Sequence, residues 1–168
     1  MALREVVTIP EPVLRRKAKK VTNFDGDLQQ LIDDMVDTMR EAPGVGLAAP
    51  QVAISERVVV VEFGDEEDES VEPRLYVVVN PEIVKHSNET VNGVEGCLSI
   101  PNVVGDVDRY ESVVVKGQNR HGKPLKIKAS GWLARIFQHE IDHLEGVLFT
   151  DRANQVWMPQ ENEAFADV

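Results

Sequence analysis

The sequence predicts an α+β fold, and three observations carry that reading. An amphipathic helical stripe lies early in the chain, a run of short β-branched segments fills its middle, and a second long helical pattern near the end carries two histidines. The 168 residues suit one domain, expected over 1–168 with a loosely ordered acidic tail at 153–168. At 42% hydrophobic and 28% charged, the composition excludes disordered and collagenous chains. Eighteen Lys and Arg against 29 Asp and Glu leave a net charge of −11, which repels a phosphate backbone, so no DNA partner is expected. The longest apolar runs, 58–61 and 75–79, fall far short of the roughly 20 residues of a spanning helix, so no membrane partner is expected either. Residues 1–20 lack the apolar core of a secretory signal, and the one cysteine, Cys97, cannot form an internal bridge; a reducing, cytoplasmic location is the simplest reading.

Taken in order, residues 11–20 follow Pro10 and predict a short basic helix. Asp25 caps a second helix, whose Leu28, Leu31, Ile32, Met35, Val36 and Met39 keep helical spacing until Pro43 and Gly44 stop it. Segments 57–63, 75–80, 83–85, 112–117 and 125–129 read as strands of antiparallel hairpins. The acidic stretch 65–72 reads as a solvated hairpin tip, since it lacks the glycine pattern of a calcium loop. A final helix spans 130–144 with Ser130 as its cap.

That helix carries the chemistry. His139, Glu140, Ile141, Asp142 and His143 spell HExxH, which on a helix sets the two imidazoles about 40° apart on one face. Trp132, Leu133, Ile136, Phe137, Ile141 and Leu144 fill one arc with Glu140 inside it, while Arg135, Gln138 and Asp142 lie opposite. A carboxylate among apolar neighbours is costly unless a cation or donor compensates it, so packing does not explain Glu140, whereas a metal-bound water does. A catalytic divalent ion needs a third protein ligand. Phe149 stands where a metzincin would place its third histidine. The Cys97 thiolate, in the EGCLS segment between strands, is the preferred ligand, with Glu161 or Glu163 of the tail as the alternative.

With these residues assembled, the chain resembles the bacterial-type peptide deformylases. Three signatures stand in the family's order: GVGLAAPQ at 44–51, EGCLS at 95–99 and QHEIDH at 138–143, the last running on into LEGVLFTDR as far as Arg152. The resemblance implies antiparallel β-sheets wrapped around a central HExxH-bearing helix. It also implies hydrolytic removal of the formyl group from nascent N-formylmethionyl chains, with release of formate. Ferrous iron is then the native ion, with Zn2+ or Ni2+ able to occupy the site; the thiolate and imidazole set suits Co2+ as well. Carried over by residue, Cys97, His139 and His143 become the metal ligands with water or hydroxide as fourth partner, and Glu140 the general base and acid. The Gln51 side chain and the Leu98 backbone N–H become donors to the formyl oxygen. Val45 and Gly46 become an edge that pairs with the substrate peptide opposite Gly96. Val45, Trp132 and Ile136 are the side chains expected around the methionine.

Two departures modify this expectation. Many members of the family carry an arginine shortly after the EGCLS proline, where Val104 stands here, so peptide length should affect turnover less than in relatives with the arginine. The acidic tail offers no basic, ribosome-docking helix, which leaves the basic segment 15–20 as the substitute for any transient ribosome contact. Two other classes compete with the deformylase reading: a zinc endopeptidase using Glu161 or Glu163, and a noncatalytic peptide-binding module. Cys97→Asp and Glu163→Ala separate the first from the deformylase, because only loss of the true ligand abolishes metal binding. Glu140→Ala separates the second, because only an enzyme keeps its metal and loses turnover.

Overall fold

The computed structural model describes residues 2–64, 70–159 and 166–167. Strand β2 (Val58–Phe63) organises the fold, because its four consecutive valines are fully buried and so both of its faces are covered. Val58 and Val60 share a core with Leu31, Ile32, Met35 and Met39 of helix α1 (Gly26–Glu41). Val59 and Val61 share another with Phe137, Ile141 and Leu144 of helix α2 (Gly131–Leu144). The period-2 alternation of the strand thus sorts one valine run between two helices.

Strand β2 is the second member of a five-stranded antiparallel sheet, ordered β1 (Gly46–Ala48), β2, β3 (Arg74–His86), β6 (Ser112–Gln118) and β7 (Pro124–Ser130). The second sheet is ordered β8 (Gln155–Trp157), β5 (Ile100–Tyr110), β4 (Thr90–Cys97) and β9 (Ala166–Asp167); its pairs are antiparallel except β4 with β9. The helix α2 packs against both sheets, and a short helix, α3 (Phe149–Arg152), follows it. This is the α+β architecture of antiparallel sheets around the HExxH helix.

The structure corrects several expectations. Residues 11–20 form only a 3₁₀ turn at Pro12–Arg15, after which the chain is extended. Tertiary pairing takes the backbone groups a helix would use: Ala18 N–H donates to the Leu144 carbonyl, Lys19 N–H to Ser55, and Arg57 N–H to Lys19. Segments 75–80 and 83–85 are one strand, β3, with a register shift after Val79 and a left-handed Asn80 whose side chain binds both backbone groups of Val21. The sequence reading left out β4 and β5 altogether. The tail is not uniformly loose, since Gln155–Trp157 pairs with β5 and covers Val104, which is buried. Arg135 and Gln138, which lie opposite the apolar arc of α2, are buried too, because the second sheet covers that side of the helix. Residues 65–69 of the acidic stretch lie outside the described residues.

Candidate metal centre

Helix α2 starts after Ser130, which holds the extended cap conformation without a side-chain cap bond. It ends at Leu144 with Glu145 as cap, followed by Gly146, whose φ of 74° suits a glycine at that position. A Cβ on Gly146 would lie 2.6 Å from the Arg15 carbonyl oxygen, so this glycine also lets the N-terminal segment close over the helix end. Between these limits His139, Glu140 and His143 are all at most 2% exposed.

The third candidate ligand comes from β4. Ligand atoms of Cys97, His139 and His143 lie within 4.8 Å of one another, and Cys97 Sγ stands 3.4 Å from His143 Nε2. Bond lengths of about 2.3 Å to sulfur and 2.0–2.1 Å to nitrogen, at a tetrahedral angle, place such atoms about 3.5 Å apart. His139 Nδ1 is engaged by Glu95 Oε1 at 2.8 Å, which leaves Nε2 buried without a hydrogen-bond partner and free to ligate. Both oxygens of Glu140 are likewise buried without a hydrogen-bond partner. These three polar atoms do not stay unpartnered in a packed interior without cause, and a cation with its water satisfies them. The residues present therefore fit a divalent ion. Glu161 and Glu163 lie outside the described residues.

Electrostatics separate the titrating groups. Burial, with the Glu95 charge adding to it, pushes the Glu140 carboxyl up to about 7 against the opposing His139 and Arg109. Burial lowers His143 well below its ordinary value. Burial also disfavours a charged His139, but the adjacent Cys97 sulfur and the Glu95 carboxylate override it and raise the group to about 10. Burial alone would raise Glu95, yet the hydrogen bonds from Arg109 and His139 hold it far below the carboxylate range.

The remaining expected residues fall around this centre. Gln51 is fully buried; its Oε1 accepts from Ala48 N–H and its amide donates to Ser99 Oγ at 3.2 Å and faces Cys97 Sγ at 3.6 Å. Leu98 follows Cys97 at the end of β4 and is half-buried. Gly46 lies against Glu140: a Cβ there would stand 2.5 Å from Glu140 Oε2. Ile136 is fully buried, and Val45 and Trp132, half-buried, pack against its cluster. The β4 edge at Gly96 carries Asp167 in this structure.

Sequence reasoning quoted Glu95 as part of a motif but gave it no role, and overlooked Arg109. In the structure Arg109 grips both Glu95 oxygens at 2.9 Å, and donates to Asp142 at 2.7 Å. The available signal was alternation: Glu95 lies two residues before Cys97, on the same strand face, where a charge needs a buried partner.

Comparison with known proteins points the same way. The family model for polypeptide deformylase matches residues 3–157. A peptide deformylase of Symbiobacterium thermophilum is 54% identical over 156 residues, 93% of this chain and 69% of that protein. Peptide deformylase 1 of Bacillus subtilis is 50% identical over 161 residues, 96% of each chain. Among solved structures, the Thermotoga maritima peptide deformylase superposes with a TM-score of 0.85 at 41% identity, over 92% of this chain and 100% of that one. An Acinetobacter baumannii peptide deformylase with Met-Ala-Ser bound gives 0.83 at 41% identity, over 90% and 98%.

Proposed function

The chain belongs to the polypeptide deformylase family, and from that premise we infer that it is a metal-dependent hydrolase that removes the formyl group from nascent N-formylmethionyl chains. The observation that carries the assignment of residues is the fully buried Glu140 carboxylate, unpartnered beside a Cys97, His139 and His143 triangle. A divalent ion held by those three ligands, ferrous iron in the native protein or Zn2+, Ni2+ or Co2+ in its place, would supply Lewis acidity to the formyl oxygen and acidify a water.

The protein's own groups do the rest. Glu140 takes a proton from the water as its oxygen bonds to the formyl carbon. The same carboxyl returns that proton to the amine nitrogen as the C–N bond breaks, which frees formate and the methionyl amine. The Gln51 amide and the Leu98 N–H hold the negative charge on the formyl oxygen. Gly46 and Gly96 offer main-chain groups to the peptide, and Val45, Trp132 and Ile136 surround the methionine. The Met-Ala-Ser complex of the Acinetobacter relative supports a short methionyl peptide as ligand. A cytoplasmic location follows from a nascent-chain substrate, and no helix among the described residues is long and apolar enough to cross a membrane. The basic segment 15–20 is the surface we assign to transient ribosome contact.

The test is formate release from a formyl-Met peptide by anaerobically purified protein, with metal measured on the same sample. Glu140→Ala should keep the metal and lose on the order of 10²- to 10⁴-fold in turnover. Retention of wild-type turnover in that variant would remove Glu140 from the mechanism.

A further inference from the structure

Side chains of helix α2 reach strand β4 at points that follow one another in the same chain direction, and the two repeats match. Four helical residues advance about 6 Å and two strand residues about 6.7 Å, so every fourth residue of the helix can meet every second residue of the strand. Three successive rungs are present. Cys97 meets His143, with Sγ and Nε2 3.4 Å apart. Glu95 meets His139, with Oε1 and Nδ1 2.8 Å apart. Gly93 meets Arg135, whose Cζ would lie 2.8 Å from a Cβ at position 93. The first two rungs hold ligands and their direct support; the third touches neither metal ligand nor substrate.

Arg135 is pinned where it sits. Its Nη1 donates to Glu95 Oε2 at 2.6 Å and to the Val107 carbonyl at 3.0 Å, and its Nη2 to the Val91 carbonyl at 2.6 Å. The Trp132 ring lies 5.2 Å from its Cζ. Glu95 already has a bidentate guanidinium in Arg109, so a second one is not needed to keep it ionised. What Arg135 adds is direction: from the helix that bears both histidines it reaches β4 and β5 at once, including the strand that bears the cysteine. A Cβ at position 93 would require the guanidinium to shift from the place where it meets these three acceptors.

We propose that Gly93 and Arg135 form the register rung of this ladder, a pair of positioning residues that sets the helix against the strand so that Cys97, His139 and His143 converge on one ion. The proposal rests on the metal-hydrolase reading, and the test separates the two. Metal-free full-length protein is titrated with Co2+; the thiolate-to-cobalt absorption and the rate of Co2+ loss to a chelator are followed in wild type, Gly93→Ala, Arg135→Met and the double variant, alongside thermal midpoints. Gly93→Ala should shift the band and speed cobalt loss about tenfold or more, the scale of outer-shell changes at metal sites. In the Arg135→Met background Gly93→Ala should add nothing, since no guanidinium remains to be displaced. Cobalt loss within about twofold of wild type in Gly93→Ala, with only the midpoint lowered, or effects that multiply in the double variant, would overturn the rung. Absence of a thiolate band in the wild-type protein would overturn the metal centre itself.

Discussion

At residue scale the centre depends on close approaches that leave no slack. Gly46 brings the β1 backbone against the Glu140 carboxylate, so Gly46→Ala presses first on that carboxylate and not on the Cys97, His139 and His143 cluster. The expected outcome is a full complement of metal with turnover reduced by on the order of 10²-fold or more, read by formate release and metal analysis on one preparation. Glu95 gives a prediction in pH. Its folded carboxyl is held far below the ordinary value of about 4.3, so it stabilises the fold above that value, and the stabilisation fades as pH falls toward the folded pKa and the unfolded chain takes up a proton. Wild type should therefore exceed Glu95→Gln in thermal midpoint by the widest margin above about pH 5, with the gap narrowing from pH 5 to 3. A gap that stays constant over that range would show that Glu95 acts by shape and not by charge.

At the scale of elements, the end of α2 is a stability determinant. Gly146→Ala meets both a left-handed φ and the Arg15 carbonyl, so it should cost about 1–3 kcal/mol in denaturant unfolding, with the cobalt spectrum of the folded protein unchanged. The legibility of each element follows from what holds it. Helix α1 was readable because one face alone is buried and Asp25 caps it through the Leu28 N–H. The buried ends of β2, β3, β6 and β7 were readable because β-branched runs pack there on α2. The strands β4 and β5 were not, because Gly93 and Gly105 replace side chains where the Arg135 guanidinium and the 153–156 segment come close, and Glu95 and Arg109 stand inward where valines are expected. The cluster of Cys97, His139 and His143 was legible from HExxH and from family resemblance, whereas the buried Glu95, Arg109 and Arg135 around it were not. The basic helix at 11–20 failed because its backbone partners are distant in sequence.

At the scale of the whole molecule, the HExxH helix is buried between two sheets, one packed on its apolar face and the other supplying Cys97 and the charged supports. The edge proposed for the peptide, at Gly96 of the second sheet, is the one with which Asp167 pairs. Deleting residues 160–168 should lower the KM for formyl-Met tripeptides severalfold with kcat unchanged, because a tethered strand competes at an effective concentration of about millimolar; an unchanged KM would mean that the peptide does not use this edge. The claim on which every other step depends is the ligand set. X-ray absorption at the metal edge of stoichiometrically loaded protein should find one sulfur at about 2.3 Å and two imidazole nitrogens, about 2.0–2.1 Å away for zinc. A first shell of oxygen and nitrogen without sulfur would contradict it.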